Sequence, residues 1–270
     1  MRSMKLIAEW PAENAAAAVV PRSAEVVTHG DADRVFPLAS VTKLLTAYAT
    51  LVAVSEGVVE LDEPAGPPGA TVRHLLSHTS GLAFGDRTVI AAPGTRRIYS
   101  NAGFEVLGDV LTERSTIPFA DYLHDAVMAP LRMTRTTLHG SPGAGASSTI
   151  GDLVRFAGEL QRPTVVDAAL VTEATSVAFP GLAGVLPGFG RQNPNDWGLG
   201  FEIRDGKSPH WTGSRSSPHT YGHFGQSGTF LWVDPVAQAG CVVLADRHFG
   251  PWAARSWPEF TDAVLVELAG

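Results

Sequence analysis

The segment Ser40-Val41-Thr42-Lys43 is the most informative stretch of this 270-residue chain. The apolar residues that follow it recur at helical spacing, which predicts a buried helix that begins near Ser40 and ends before Gly57. On such a helix, the hydroxyl of Ser40 and the amine of Lys43 project from the same face. Lys43 can then hydrogen-bond the seryl oxygen and help to remove its proton. The free backbone N–H of Ser40, at the positive end of the helix, can bind an oxyanion.

A second motif, Tyr99-Ser100-Asn101, supplies partners for this pair. With 18 serines and three lysines, S-x-x-K is expected by chance about 0.2 times, and Y-x-N about 0.06 times. Both motifs in one chain therefore indicate a shared catalytic site. A free tyrosine with a pKa of about 10 is a poor base, but a neighbouring ammonium stabilises its phenolate. We therefore expect Tyr99 and Lys43 to share the proton that leaves Ser40, and Asn101 to hold the substrate carbonyl side or to fix Lys43.

The hydrophobic pattern predicts strands at both ends of the chain. Short β-like runs at 16–20 and 25–28 predict a hairpin, and later runs at 198–203, 228–233 and 241–245 suit antiparallel neighbours. We therefore predict an α/β (α+β) fold in which both chain ends build one antiparallel sheet that is flanked by helices.

The middle of the chain carries helix signals instead. Thr71 and Thr149 are predicted helix N-caps, and the last helix is predicted to open at Ser256-Trp257-Pro258-Glu259. Residues 1–63 and 195–270 form the predicted sheet domain, and residues 64–194 form an inserted all-helical domain. The active site is expected at their junction.

Four motifs in this order resemble the penicillin-recognising serine hydrolases, the superfamily of serine β-lactamases, DD-peptidases and related esterases. They are Ser40-Val41-Thr42-Lys43, the run from Leu75 to Gly81, Tyr99-Ser100-Asn101, and His223-Phe224-Gly225 ahead of a strand. The Y-x-N element is typical of the class C β-lactamase and esterase branch, where class A enzymes have S-D-N. The resemblance implies a β-lactamase/transpeptidase-like fold and an acyl-enzyme on Ser40.

The resemblance also implies roles for the last motif. His-Phe-Gly occurs at both His223 and His248, and the strand and turn that follow Gly225 favour His223. By resemblance, His223 takes the place of the usual Lys or His beside the tyrosine, and the backbone N–H of Gln226 supplies a second oxyanion donor. Phe224 stands where β-lactamases and peptidases carry a Thr or Ser that receives the substrate carboxylate, and its side chain cannot make that hydrogen bond.

The predicted function is hydrolysis of an ester or amide carbonyl through a Ser40 acyl-enzyme, and Phe224 favours a carboxylesterase-like activity. One alternative is a β-lactamase or DD-carboxypeptidase that acts on a β-lactam or peptide-like substrate. Another is a non-catalytic binding protein on the same scaffold, which the presence of Ser40, Lys43 and Tyr99 disfavours. No metal and no organic cofactor is required.

Composition argues against several classes of partner. The formal charge of −7 leaves no basic stripe for a nucleic acid. No apolar run has the length of a signal peptide or a membrane span, so we expect no membrane partner and a cytoplasmic location. The lone Cys241 is expected to be a buried apolar residue. The sequence leaves the oligomeric state open.

Two pairs of residues have simple structural interpretations. His74 and His78 have the spacing of a zinc pair but lack the Glu of H-E-x-x-H, which favours local hydrogen bonding of His78 within its turn. Arg96 and Arg97 are interpreted as a solvated turn ahead of Tyr99 that could also attract acidic substrates.

Overall fold

Eleven strands and seven α-helices make up the computed structural model, which describes residues 1–270. The strands are β1 (Ala15–Pro21), β2 (Val27–His29), β3 (Phe36–Pro37), β4 (Thr137–Leu138), β5 (Ala146–Ser148), β6 (Gly184–Leu186), β7 (Gly190–Gln192), β8 (Glu202–Ile203), β9 (Tyr221–Gly225), β10 (Thr229–Asp234) and β11 (Ala239–Ala245). The helices are α1 (Thr42–Ser55), α2 (Val72–Leu76), α3 (Asn101–Ser115), α4 (Phe119–Leu123), α5 (Ile150–Gln161), α6 (Ala168–Ala174) and α7 (Pro251–Leu268). Short 3-10 helices cover Ser3–Glu9 and Ala39–Val41, and a π-helical turn, His124–Met128, follows α4. None of the helices combines the length and the apolar character needed to cross a membrane.

Both ends of the chain contribute to one antiparallel sheet of six strands, in the order β2-β1-β11-β10-β9-β8. The first strand pairs with the last, in register from Ala15 opposite Ala245 to Pro21 opposite Ala239. It also pairs with β2, as the predicted hairpin. The predicted class, one antiparallel sheet built from both chain ends and flanked by helices, is thereby confirmed.

Helices cover both faces of this sheet. In β11, Val242 and Leu244 pack into the core formed with α1, α3 and α5, whereas Cys241 and Val243 pack against the other core, beneath α7. Alternate residues therefore serve two different cores. This explains why β1 and β11 are continuous apolar runs rather than alternating ones. Cys241 is buried and free, as expected.

The helix predicted after Ser40 is α1, and 12 of its 14 residues are buried. It is preceded by the 3-10 turn Ala39–Val41, so Ser40 lies just ahead of the first α-helical residue, Thr42. A helix buried on all sides in this way holds its N-terminus in a fixed position.

The predicted caps on the other helices are also present. The Thr71 hydroxyl accepts the N–H of His74 at 3.4 Å at the start of α2. The Thr149 hydroxyl accepts the N–H of Asp152 at 3.2 Å at the start of α5.

Three elements differ from the sequence prediction. The run at 198–203 is a strand only at its end, in β8. His223-Phe224-Gly225 precedes the strand β10, as expected, but also forms a strand of its own, β9. The last helix begins at Pro251, and Pro258 lies inside it. Because Trp257 and Phe260 are fully buried against the sheet, packing extends the helix through a proline that would otherwise end it.

The division into two domains remains a prediction. The middle of the chain carries the short strands β4–β7 in addition to its helices, and β4 and β5 form a small sheet with β3. The helix α5 lies against the main sheet, where the Gln161 amide donates to the carbonyl of Val20 at 3.0 Å.

Candidate active site

Ser40 lies on the 3-10 turn at the entrance to α1 and lines a cavity. The turn is anchored to the sheet, because the Thr229 hydroxyl of β10 donates to the carbonyl of Leu38 at 2.9 Å. Ala39 has a φ of +45°, a region that residues with a Cβ atom adopt at a cost. The surrounding contacts therefore hold the backbone beside Ser40 in a strained conformation.

Lys43 is completely buried beneath Ser40. Its Nζ donates to Asn101 Oδ1 at 2.6 Å and to the carbonyl of Gly143 at 2.7 Å, and lies 3.3 Å from Ser40 Oγ. Burial lowers the pKa of the Lys43 ammonium from 10.5 to about 7, and the Glu105 carboxylate opposes this only in part. A substantial fraction of Lys43 is therefore a neutral amine at pH 7, beside the seryl oxygen and able to accept its proton.

Tyr99 borders the same cavity, with its ring 4.8 Å from the Lys43 Nζ. Burial raises the pKa of the Tyr99 phenol above 10, and hydrogen bonding by the Ser40 hydroxyl opposes this only in part. The phenol is therefore protonated at neutral pH. This differs from the expected lysine-stabilised phenolate, because burial of the phenol disfavours its charged form.

His223, near the end of β9, fixes the phenol from the other side. Its Nδ1 donates to the carbonyl of Phe224 at 2.6 Å, which leaves Nε2 as an acceptor 3.4 Å from the Tyr99 hydroxyl. Burial lowers the pKa of His223 to about 3, so the ring is neutral. The alternative histidine, His248, is exposed and contacts the carbonyl of Gln226 at 3.1 Å instead, outside the cavity.

The residues expected to form an oxyanion site come from two different elements. The backbone N–H groups of Ser40 and Gln226 donate no hydrogen bond within the protein, and both residues line the cavity. Gly225 allows this approach, since a Cβ atom there would lie 2.3 Å from the carbonyl oxygen of Leu38. Two free donors on opposite sides of one cavity can stabilise a developing negative charge.

The cavity has a volume of about 220 Å³ and is mainly apolar. Its lining holds no Lys or Arg and, apart from Ser40 and Tyr99, no hydroxyl group. Phe224 occupies the wall next to His223 and packs against Phe249, with ring centroids 4.9 Å apart. A carboxylate next to the reacting carbonyl would find no cation here.

His78 is a further residue of the site, and sequence reasoning predicted only its local hydrogen bonding. Its Nδ1 accepts the backbone N–H of Ser100 at 3.1 Å, and its ring lies 4.6 Å from that of Tyr99. Burial lowers the pKa of His78 well below 6.5, so it is neutral. The ring of His78 therefore does not bond within its own turn, as the sequence predicted, but to Ser100, and this contact holds the segment that carries Tyr99 and Asn101.

Glu202 belongs to a buried ionic cluster that no sequence pattern indicated. Its carboxylate accepts from Trp211 Nε1 at 2.7 Å and His210 Nε2 at 2.9 Å, and also from the Lys207 ammonium. Burial raises the pKa of Glu202, but His210 and Lys207 outweigh it and hold the pKa at about 2. The cluster fixes one wall of the cavity, to which Glu202 and Trp211 both contribute.

Arg97 is not part of the solvated turn that the sequence suggested. It is 2% exposed, and its guanidinium donates to the carbonyls of Ser77, Ala178, Phe179 and Asn195 at 2.5 to 3.0 Å. It therefore ties separate segments together behind Tyr99. Of these two arginines, only Arg96 is exposed.

Comparisons with known proteins show what the chain is similar to. A family model described as Beta-lactamase matches residues 5–265. A solved structure described as a beta-lactamase from Mycobacterium bovis is 57% identical, with a TM-score of 0.97 over 98% of this chain and 99% of that one. A hydrolase with promiscuous acyltransferase activity has a TM-score of 0.77 at 18% identity, over 97% of this chain and 96% of that one, which shows the fold alone.

Among curated proteins, the D-alanyl-D-alanine-carboxypeptidase/endopeptidase AmpH of Escherichia coli K12 is 30% identical over 147 residues. The match covers 41% of this chain and 38% of that protein. The chain therefore spans well under half the length of this relative, and about half the length of the similar carboxypeptidases described as putative from Salmonella.

Proposed function

The chain belongs to the beta-lactamase family, and we propose that within this family it is a serine hydrolase that prefers esters, with Ser40 as its nucleophile. The family membership and the β-lactamase/transpeptidase-like fold agree with the sequence resemblance. The substrate and the residue roles are the proposal. It rests on the contacts around Ser40 and on the lining of the cavity.

In the acylation step, Ser40 Oγ attacks the ester carbonyl while its proton passes to the neutral amine of Lys43, 3.3 Å away. The carbonyl oxygen becomes an oxyanion between the N–H groups of Ser40 and Gln226. The tetrahedral intermediate then expels the alcohol. The leaving oxygen takes a proton from the Tyr99 phenol, which regains one from the Lys43 ammonium, and the acyl group stays on Ser40.

Deacylation again uses Lys43 as the base. A water molecule attacks the acyl carbonyl and gives a proton to Lys43, and the oxyanion forms in the same place. Collapse of the intermediate breaks the bond to Ser40 Oγ, which takes a proton from the Lys43 ammonium. The products are a carboxylic acid and the free enzyme. Asn101 and Gly143 hold the Lys43 amine in position throughout, through contacts of 2.6 and 2.7 Å.

The observation that carries the ester preference is the absence of any cation or accessory hydroxyl in the cavity lining. Phe224 lies where the family places a hydroxyl for the substrate carboxylate, and His223 is neutral because burial lowers its pKa to about 3. The carboxylate of a penicillin would be desolvated there without a cationic partner, which is unfavourable. A neutral ester has no such cost.

A β-lactamase activity is the second candidate. It is favoured by the 57% identity, over almost the whole length of both chains, to the M. bovis protein described as a beta-lactamase. The two candidates differ in one kinetic property, the ratio of kcat/KM for a short p-nitrophenyl ester to that for a penicillin.

This ratio tests the proposal directly. The ester is expected to be turned over at least a hundredfold more efficiently than benzylpenicillin. In Phe224→Thr, the restored hydroxyl should shift the ratio toward the penicillin by about tenfold. Phe260→Leu, which alters the same aromatic core away from the cavity, serves as the control for general destabilisation. Efficient penicillin hydrolysis by the unmodified protein would replace the ester assignment with the β-lactamase one.

A further inference from the structure

A second groove adjoins the catalytic cavity on the other side of Tyr99. It has a volume of about 590 Å³ and shares Phe84, Tyr99 and Pro187 with the cavity. A substrate bound at Ser40 could therefore extend into this groove without leaving the protein surface. The groove is the larger of the two spaces, and nothing in the mechanism uses it.

The backbone brings two exposed arginines to this groove from distant parts of the sequence. Arg97 and Gly184 form a parallel bridge, and the Arg97 N–H donates to the carbonyl of Ala183 at 3.2 Å. Arg96 therefore lies beside β6. In the hairpin, Val185 of β6 is paired directly with Arg191 of β7. Arg96 and Arg191 both line the groove as a result.

These two guanidinium groups have no partner within the protein. Arg96 and Arg191 are exposed and make no ion pair, and no side-chain hydrogen bond involves them. The lining of the groove contains no Asp or Glu. In a chain with a net charge of −7, two free arginines in one groove form a local positive site.

Three apolar side chains of the groove lining are exposed to solvent. Phe84 is 57% exposed, Ile90 54% and Val185 59%. Exposed apolar side chains beside a pair of arginines suit a ligand that has a hydrocarbon arm and an anionic end. Guanidinium groups bind carboxylates and phosphates through paired hydrogen bonds.

We propose that this groove binds an acidic group that the substrate carries at a distance from its ester carbonyl. The inference rests on the proposed function, because it places the ester at Ser40. It names a substrate class: esters that are neutral next to the reacting carbonyl and bear a remote carboxylate or phosphate. The acidic group of the substrate would then be recognised in the groove and not at Phe224, beside the reacting carbonyl.

The test compares matched esters that differ only in the remote charge. One series pairs p-nitrophenyl butyrate, hexanoate and octanoate with the p-nitrophenyl monoesters of succinate, adipate and suberate. The other pairs the hexanoate esters of 4-propylphenol and of 3-(4-hydroxyphenyl)propanoate, which moves the charge to the alcohol. We expect at least one acidic ester to exceed its neutral partner about tenfold in kcat/KM, and this advantage to fall with added salt.

The variant pair Arg96→Gln/Arg191→Gln should reduce the acidic-to-neutral ratio to about one. Arg162→Gln/Arg255→Gln removes the same charge from exposed arginines outside the groove and should leave the ratio unchanged. If the two double variants lower the ratio equally, or if no acidic ester is preferred at any length, the groove is not the anion site.

A binding measurement separates this inference from the proposed function. Calorimetric titration of the suberate monoester and of the 3-(4-hydroxyphenyl)propanoate ester into Ser40→Ala measures their binding affinity without any turnover. At least one of them should bind about tenfold more weakly when Arg96 and Arg191 are also replaced. If each ester binds equally well with and without the two arginines, the groove is not the anion site. Failure of the unmodified protein to hydrolyse any ester, with binding still dependent on the arginines, would overturn only the proposed function.

Discussion

At the scale of single residues, burial decides which group can remove the proton from Ser40. Lys43 has no contact with solvent, and its pKa falls to about 7, whereas burial raises the pKa of Tyr99 above 10. Desolvation disfavours the charged form of each group, so it lowers the pKa of a lysine and raises that of a tyrosine. We therefore propose Lys43 as the base and Tyr99 as the proton donor.

This assignment predicts the pH dependence of the reaction. The neutral amine is the active form, so kcat/KM for a neutral ester should rise through an apparent pKa of about 7 and then stay level to pH 9. Initial rates measured from pH 5 to 9 give this pH dependence. Tyr99→Phe should lower the rate but keep the same acid limb.

Replacement of Lys43 should remove this pH dependence. Lys43→Ala should reduce kcat by a hundredfold or more and remove the inflection near pH 7. An unchanged acid limb in that variant would show that another group is the base.

The sequence could propose Ser40, Lys43, Tyr99 and Asn101 as site residues because each motif holds its residues at a short, fixed spacing. It could not order their proton affinities, since these depend on burial that only the folded chain creates. Glu202 illustrates the same limit. Its partners lie in an irregular loop, and no period links them before the chain folds.

At the scale of elements, the site depends on how closely β9 approaches the turn that carries Ser40. Gly225 makes this contact possible, because a Cβ atom there would lie 2.3 Å from the Leu38 oxygen and 2.5 Å from Thr229 Oγ1. Both distances are far below van der Waals contact. The two proposed oxyanion donors lie on either side of this contact.

Gly225→Ala should therefore separate the two elements. We expect kcat to fall at least tenfold and the free energy of unfolding to drop by roughly 1–3 kcal/mol. Steady-state kinetics and urea unfolding measure both effects. Gly158→Ala is the control, since a Cβ atom at Gly158 in α5 meets nothing within 4 Å. It should keep full activity and gain up to about 1 kcal/mol, and comparable activity losses in both variants would contradict this account.

The elements were predictable where one signal dominated. The strands β1 and β11 and the helix α1 are long apolar runs, and the structure contains all three. The start of α7 was misplaced because Ser256 and Pro258 imitate a helix start. The burial of Trp252 and Trp257 against the sheet lies outside any local pattern. The short strand β9 was missed because glycines interrupt its apolar run.

At the scale of the whole molecule, Arg97 joins segments that are far apart in the sequence. It donates to carbonyls at Ser77, at Ala178 and Phe179, and at Asn195, and so ties the segment of Tyr99 to the rest of the protein. Burial lowers its pKa to about 10, so it is still charged at neutral pH. A planar guanidinium can serve several carbonyls at once, which an ammonium cannot.

Arg97→Lys should accordingly leave buried carbonyls without donors and lower the free energy of unfolding by roughly 2–4 kcal/mol. Arg96→Lys, at the exposed neighbouring position, should change it by less than about 0.5 kcal/mol. Guanidinium-chloride unfolding compares the two. Equal midpoints would mean that Arg97 does not hold these segments together.

The central claim is that Ser40 forms a covalent acyl-enzyme. Intact-protein mass spectrometry after incubation with a fluorophosphonate, together with p-nitrophenyl ester turnover, tests it most directly. The account predicts a single adduct and turnover in the unmodified protein, and neither in folded Ser40→Ala. An adduct or residual turnover in Ser40→Ala, or no adduct in the unmodified protein, would contradict it.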